Sequence, residues 1–125
     1  MNTTDLRIGN LIYNDYTKCN GEIMGIFSYE EVWIQYPNES ITSRGTIFAC
    51  HGIPITEEWL VKFGFKYRCI EIDSQVIEIN KSNFFYLFGV DSVTSGDCFN
   101  GVCEYVHQLQ NLYYALTQTE LTINL

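Results

Sequence analysis

The pattern of apolar and polar positions changes twice along this chain, near residue 56 and again near residue 105. Before the first change, short apolar runs alternate with polar residues and are separated by turn residues, a pattern typical of strands. The runs LIYNDY and EIMGIFSY flank Asn20-Gly21 and predict a hairpin with a type I′ turn there. VWIQY and residues 45–49 follow as further strands. This spacing predicts a small antiparallel barrel, which we expect to be SH3-like.

The stretch ITEEWLVKFGF, residues 55–65, has the signals of a short helix. Thr56 is a good N-cap, two glutamates follow in the first turn, and Gly64 is placed to end the helix. Ile55 and Leu60 stand at the two positions of a hydrophobic staple. The sequence therefore predicts a two-turn central helix that depends on tertiary packing.

Alternation returns after residue 66, and the runs YRCIEID, QVIEINK and NFFYLFGV predict a three-stranded antiparallel meander. The following stretch DSVTSGDCFN, residues 91–100, is rich in turn-forming residues and is predicted to be a loop. The final LTINL alternates and is predicted to be a terminal strand.

The stretch YVHQLQNLYYALT, residues 105–117, predicts an amphipathic helix near the end of the chain. Apolar residues recur three or four positions apart, as the buried stripe of a helix requires. That stripe consists of Val102, Val106, Leu109, Tyr113 and Leu116. His107, Gln108, Gln110 and Asn111 lie off it, and we expect these polar side chains to face water or a partner. Changes at His107, Gln110 and Asn111 should therefore cost little stability.

These elements together predict an α+β fold in one domain, residues 1–125. Residues 1–55 form the barrel-like sheet, and residues 56–125 form the central helix, the meander and the terminal amphipathic helix. The 46% of apolar residues is enough for a hydrophobic core.

The net charge of the chain bears on the kind of partner that it can bind. The chain has 15 acidic and 7 basic residues, a net charge of −8, and no Lys or Arg from residue 82 onwards. Because nucleic acid is bound by clustered cations, direct binding to it is disfavoured. A basic surface of another protein is an easier partner. A solvated acidic surface that only aids solubility is the simpler alternative.

The first ten residues lack the features of a signal peptide, and no apolar run is long enough to span a membrane. Five cysteines are an odd number, which disfavours a closed disulfide framework and favours reduced thiols in the cytoplasm. We expect no required disulfide, metal or other cofactor.

The sequence disfavours two kinds of chemistry. Zinc could be held by Cys98, Cys103 and His107 with the Cys50-His51 pair, but the spacing matches no standard zinc motif. Cys103, His107 and Asn111 could form a nucleophilic set if one helix carried all three, although chance placement explains the spacing better. Phosphate-binding loops and common hydrolase motifs are absent from the sequence.

Three stretches, LRIGN at residues 6–10, ITEEWLVKFGF and YVHQLQNLYYALT, together resemble a family of small uncharacterised proteins of Bacteroidetes phages and prophages. The match covers about a third of the chain, in that order and at similar distances. Ile55 replaces a leucine, and Gln118-Thr119 stands where that family has Gly-Glu. The resemblance implies a setting, a mobile-element protein in a bacterial cytoplasm, and no particular activity.

The sequence thus favours a non-enzymatic protein that binds a host protein, such as an inhibitor of a bacterial defence system of the anti-CRISPR type. The alternatives are a pocket protein for a small molecule or nucleotide and, more weakly, a modifying enzyme that uses Cys or His. The expected partner is a nucleic-acid-binding effector with a basic surface. Candidate partner-binding residues are Asp97, Glu104, His107 and Tyr114 in the C-terminal half, and Glu30, Glu31 and Trp33 in the sheet.

Overall fold

A computed structural model describes residues 5–28, 30–37, 43–72, 75–89 and 99–123. Within them the chain forms two antiparallel sheets and two α-helices. The predicted α+β class is therefore confirmed.

The first sheet has the strand order β4-β3-β2-β1-β5. Its inner face carries Ile12, Ile23 and Ile34, each almost fully buried in a first core cluster. β4 and β5 lie at opposite edges and are not paired among the described residues, so the predicted SH3-like barrel is not closed. The strands are β1 Leu11–Asn14, β2 Cys19–Ile26, β3 Glu31–Gln35, β4 Ser43–Thr46 and β5 Cys50–His51, with a 3-10 turn at Ile47–Ala49.

The predicted hairpin of β1 and β2 is confirmed, but its turn spans residues 15–18 and not Asn20-Gly21, which lies inside β2. The Asn14 side chain explains the earlier turn, because its Oδ1 accepts a hydrogen bond from the backbone N–H of Tyr16 at 2.8 Å. Gly21 has a packing role instead. A Cβ there would overlap the Ile34 side chain and lie 3.1 Å from the ring of Tyr36.

The central helix α1, Glu57–Lys62, begins and ends where the sequence predicts. The Thr56 hydroxyl accepts a hydrogen bond from the backbone N–H of Trp59 at 3.3 Å. Gly64 adopts a left-handed φ of 91°, which ends the helix. Ile55 and Leu60 are both buried, in agreement with the predicted staple.

The second sheet has four strands in the order β6-β7-β8-β9, one more than the predicted meander. Phe99 and Asn100, predicted to lie in a loop, belong to β9 and pair with β8. The hydrogen bonds gained at the open edge of β8 outweigh the loop-forming tendency of the surrounding sequence. Residues 91–98 lie outside the described residues. The strands are β6 Cys69–Ile72, β7 Gln75–Ile79, β8 Phe84–Gly89 and β9 Phe99–Val102.

The terminal helix α2, Val106–Thr117, begins after Val102, the first residue of the predicted apolar stripe. Val106 and Leu109 are fully buried, but Val102 lies in β9 and is 55% exposed. The predicted terminal strand is wrong for residues 121–123, which form none although Leu121 is buried. Residues 124 and 125 lie outside the described residues.

A second core cluster involves the second sheet, both helices and the segment between β5 and α1. Leu11 and Tyr13 of β1 pack against this cluster from the outer face of the first sheet. β1 therefore contributes to both cores, with Ile12 in the first and its neighbours against the second. This alternation joins the two halves of the molecule.

Candidate functional site

The segment LRIGN and helix α2, about a hundred residues apart in sequence, meet in a network of polar contacts. Asn10, completely buried, donates from Nδ2 to Oδ1 of Asn111 at 2.8 Å. Its Oδ1 accepts from the backbone N–H of Arg7 at 2.6 Å. We call this network the polar junction; its members are Arg7, Asn10, Gln110, Asn111 and Glu120.

Gln110 is 3% exposed, so the prediction that it faces water is wrong. Its Oε1 accepts from the backbone N–H of Leu11 at 2.8 Å, and its Nε2 donates to the carbonyl of Gly9 at 3.1 Å. One side chain thus satisfies two backbone groups at the point where the LRIGN segment leads into β1. A polar helix face is exposed only where no other segment covers it, and here LRIGN covers it.

Arg7 completes the polar junction on its outer side. Its guanidinium forms an ion pair with Glu120, donates to the carbonyl of Gln110 at 3.4 Å, and lies 4.2 Å from the ring centre of Tyr114. Tyr114, a predicted partner-binding residue, is therefore half-buried beneath an arginine of its own chain.

His107, another predicted partner-binding residue, is 3% exposed, so the expectation that its side chain is exposed is wrong. Its ring stacks on Tyr105 with centroids 5.8 Å apart, and its Nδ1 is buried without a hydrogen-bond partner among the described residues. Burial lowers the pKa of His107, an effect that Asp5 partly opposes. In this position the imidazole contributes to the packing at the start of α2.

His107 should make the protein less stable in mild acid. Its pKa is lower in the folded chain than in the unfolded chain, so the unfolded state binds the proton more readily below about pH 6.5. Stability is then full above that pH and falls as the pH drops towards the folded-state pKa. We expect urea unfolding between pH 7.5 and 5 to show this loss in the wild type and a smaller one in His107→Phe. An equal slope in His107→Phe would contradict the assignment.

Cys50 and Cys103, two of the cysteines considered for a zinc or thiol site, are buried. Burial raises the pKa of Cys103 to about 12, and burial with the nearby Asp15 raises that of Cys50 to about 11, so both are protonated near neutral pH. Cys103 precedes α2 and is not on one helix with His107. No group of three metal-binding side chains occurs within the described part of the chain, and Cys98 lies outside it.

The remaining candidates separate into two regions. Glu104 is exposed just before α2, and its backbone N–H donates to Gln108 Oε1 at 2.9 Å. Asp97 lies outside the described residues. Glu30 is exposed before β3, whereas Glu31 forms an ion pair with Arg44.

Trp33 lies on the outer face of the first sheet, where four side chains form a surface that we call the sheet patch. The register pairs Trp33 with Arg44 across β3 and β4, and the Arg44 guanidinium lies 4.0 Å from the ring centre of Phe27. Phe27 is 60% exposed and Trp33 is 38% exposed. The patch consists of Phe27, Glu31, Trp33 and Arg44.

Phe27 and Arg44 were not among the candidates predicted from the sequence. The alternation of β3 indicated which residues share a face with Trp33, but the cross-strand partners depend on register. A bulge between Ile23 and Gly25 shifts that register and places Gly25 opposite Trp33.

None of the helices in the described ranges is long and apolar enough to cross a membrane. Comparisons with protein-family models, with curated proteins and with solved structures found no match.

Proposed function

We propose that this protein is a non-enzymatic binding factor of phage or prophage origin that occupies a basic surface of a host protein in the bacterial cytoplasm. An inhibitor of a defence system, of the anti-CRISPR type, would act in this way by covering a nucleic-acid-binding surface. The three resembling motifs support the phage or prophage origin. The exposed residues and the net charge support binding to a basic surface.

The sheet patch is the observation that carries the proposal. Trp and Arg are enriched among the residues that dominate binding energy, and aromatic side chains with few rotamers lose little entropy on binding. Trp33 and Arg44 lie on paired strands, so their positions are set before a partner arrives. Exposed Phe27 gives the patch an apolar centre that a partner would cover.

The acidic net charge of the chain favours a partner with a basic surface. Four of the basic side chains, at Arg7, Arg44, Lys62 and Arg68, already form ion pairs with carboxylates of the same chain. The chain carries an excess of eight negative charges over the positive ones. Long-range attraction to a cationic surface would speed association, in a way that salt weakens.

The alternative functions have less support. A thiol enzyme needs a thiolate, and burial keeps Cys50 and Cys103 protonated. A nucleotide carries negative charge, and the two adjoining cavities that abut the first sheet are lined by Glu22 and Glu120. Both observations favour a binding protein over these alternatives.

Two exposed phenylalanines of the first sheet region allow a matched test of the patch. The tagged wild type, Phe27→Ala and Phe48→Ala are used to capture proteins from lysate of a Bacteroidetes host, and the captured proteins are quantified by mass spectrometry. Phe48 is 71% exposed and outside the patch, so it serves as the control. We expect Phe27→Ala to weaken binding of the purified target by about 2 kcal/mol, roughly thirty-fold, as loss of an interface anchor does.

The captured target must also lose nucleic-acid binding when the wild-type protein is added. A target that binds both variants equally would contradict the role of the patch. Failure to capture any protein in a patch-dependent way would count against the proposed function as a whole.

A further inference from the structure

A groove runs along the outer face of the first sheet, next to the polar junction. It has two adjoining lobes, of about 420 and 380 Å³, which share Leu11, Glu22 and Ile123. Gln110 and the segment 120–123 border the first lobe, and Trp59 borders the second. We call it the Glu22 groove.

Cross-strand register explains why a carboxylate lies between the two lobes. Glu22 of β2 is paired with Leu11 of β1 and with Gln35 of β3, so the three side chains form a row on the outer face. Glu22 is exposed and forms no ion pair with any residue that the structure describes. The first lobe has a second carboxylate, that of Glu120, which forms the ion pair with Arg7.

The apolar walls suit the aliphatic part of a long cationic side chain. Leu11 and Ile123 line both lobes, and such surfaces bury the stem of Lys or Arg while its charged end remains near a carboxylate. Trp59 already attracts a cation of its own chain, since Lys62 Nζ lies 5.0 Å from its ring centre.

We propose that the Glu22 groove binds an extended peptide segment of a partner protein, with an arginine or lysine side chain at Glu22 and an apolar side chain between Leu11 and Trp59. A second copy of this chain is disfavoured as the occupant because each copy has a net charge of −8. A nucleotide is disfavoured because the Glu22 carboxylate lies between the two lobes.

This inference rests on the proposed function only for the kind of partner, a protein with a basic surface. The groove is distinct from the sheet patch and shares none of its residues. Each site can therefore be tested when the other is disabled.

The test uses the full chain with Trp33→Phe, which removes the patch indole and leaves Trp59 as the single tryptophan. The probe is a five-residue, acetylated and amidated peptide in which leucine alternates with arginine. A second peptide with glutamine in place of arginine is the control ligand. Tryptophan fluorescence and calorimetry follow both titrations at low and high salt.

We expect saturable binding of the arginine peptide that weakens with salt, and weaker binding of the glutamine peptide. Glu22→Gln should weaken binding of the arginine peptide about three-fold, and Glu22→Lys should weaken it on the order of ten-fold. Glu71→Lys, the same change at an exposed position of β6 in the other sheet, should leave binding unchanged.

Equal binding of the two peptides, or equal effects of Glu22→Lys and Glu71→Lys, would overturn the inference. Absence of saturable binding would overturn it too, while target capture through the sheet patch would leave the proposed function intact. If instead the peptide binds at the groove but no host protein is captured, the proposed function fails and the groove remains.

Discussion

Replacing Leu109 by alanine is expected to cost about 2–5 kcal/mol of unfolding free energy, the range for large-to-small changes in a core. Leu109 is fully buried in the second core cluster. Its loss leaves a cavity that the neighbouring helix and sheet can fill only in part. Urea unfolding should show a lower midpoint with an unchanged slope, because the exposed surface on unfolding is nearly the same.

Val102→Ala is the matched control, because the sequence pattern places Val102 and Leu109 on one apolar stripe. The structure instead puts Val102 in β9, where it is 55% exposed. We expect that change to cost less than about 1 kcal/mol, through strand preference alone. Comparable losses at both positions would mean that the helix begins earlier than Val106.

Gln110→Glu is expected to cost about 3 kcal/mol or more, because it buries a carboxylate and removes the donor to the Gly9 carbonyl. The new carboxylate oxygen would face that carbonyl oxygen in a site that is 3% exposed. Chemical denaturation near neutral pH measures the loss. It should shrink in acid, where the carboxyl is protonated and can donate again.

Gln108→Glu, two positions earlier in the same helix, is the control. The Gln108 side chain is exposed, and its Oε1 only accepts, from the backbone N–H groups of Glu104 and Tyr105. A carboxylate accepts the same bonds and suits the first turn of a helix, so stability should change by less than about 0.5 kcal/mol. If both variants behave alike, the polar junction does not form in solution.

The polar junction also changes how the resembling motifs are interpreted. LRIGN and YVHQLQNLYYALT contain the junction residues Arg7, Asn10, Gln110 and Asn111, which bond to each other across the fold. Their polar character is explained by the need to satisfy buried backbone groups. Surfaces outside these motifs, the sheet patch above all, are therefore better places to look for a partner.

Local physical chemistry made several elements predictable from the sequence. Helix α1 depends on the capping oxygen of Thr56 and on the left-handed conformation of Gly64, both properties of single residues. The strands β1, β3 and β7 follow from period-two alternation of apolar residues, which a half-buried strand requires. These features need no knowledge of distant segments.

Other features were decided only by tertiary structure. His107 and Gln110 have the same polar character as exposed Gln108, and only the segments packed against the helix bury them. β9 forms because β8 offers an open edge, and the sheet patch depends on a bulge that shifts cross-strand register. In each case the outcome depends on contacts between residues far apart in sequence, and the free energy of those contacts outweighs local preference. The sequence by itself determined the apolar alternation of the strands and the residues that cap helix α1. Packing between distant segments determined which polar side chains became part of the core.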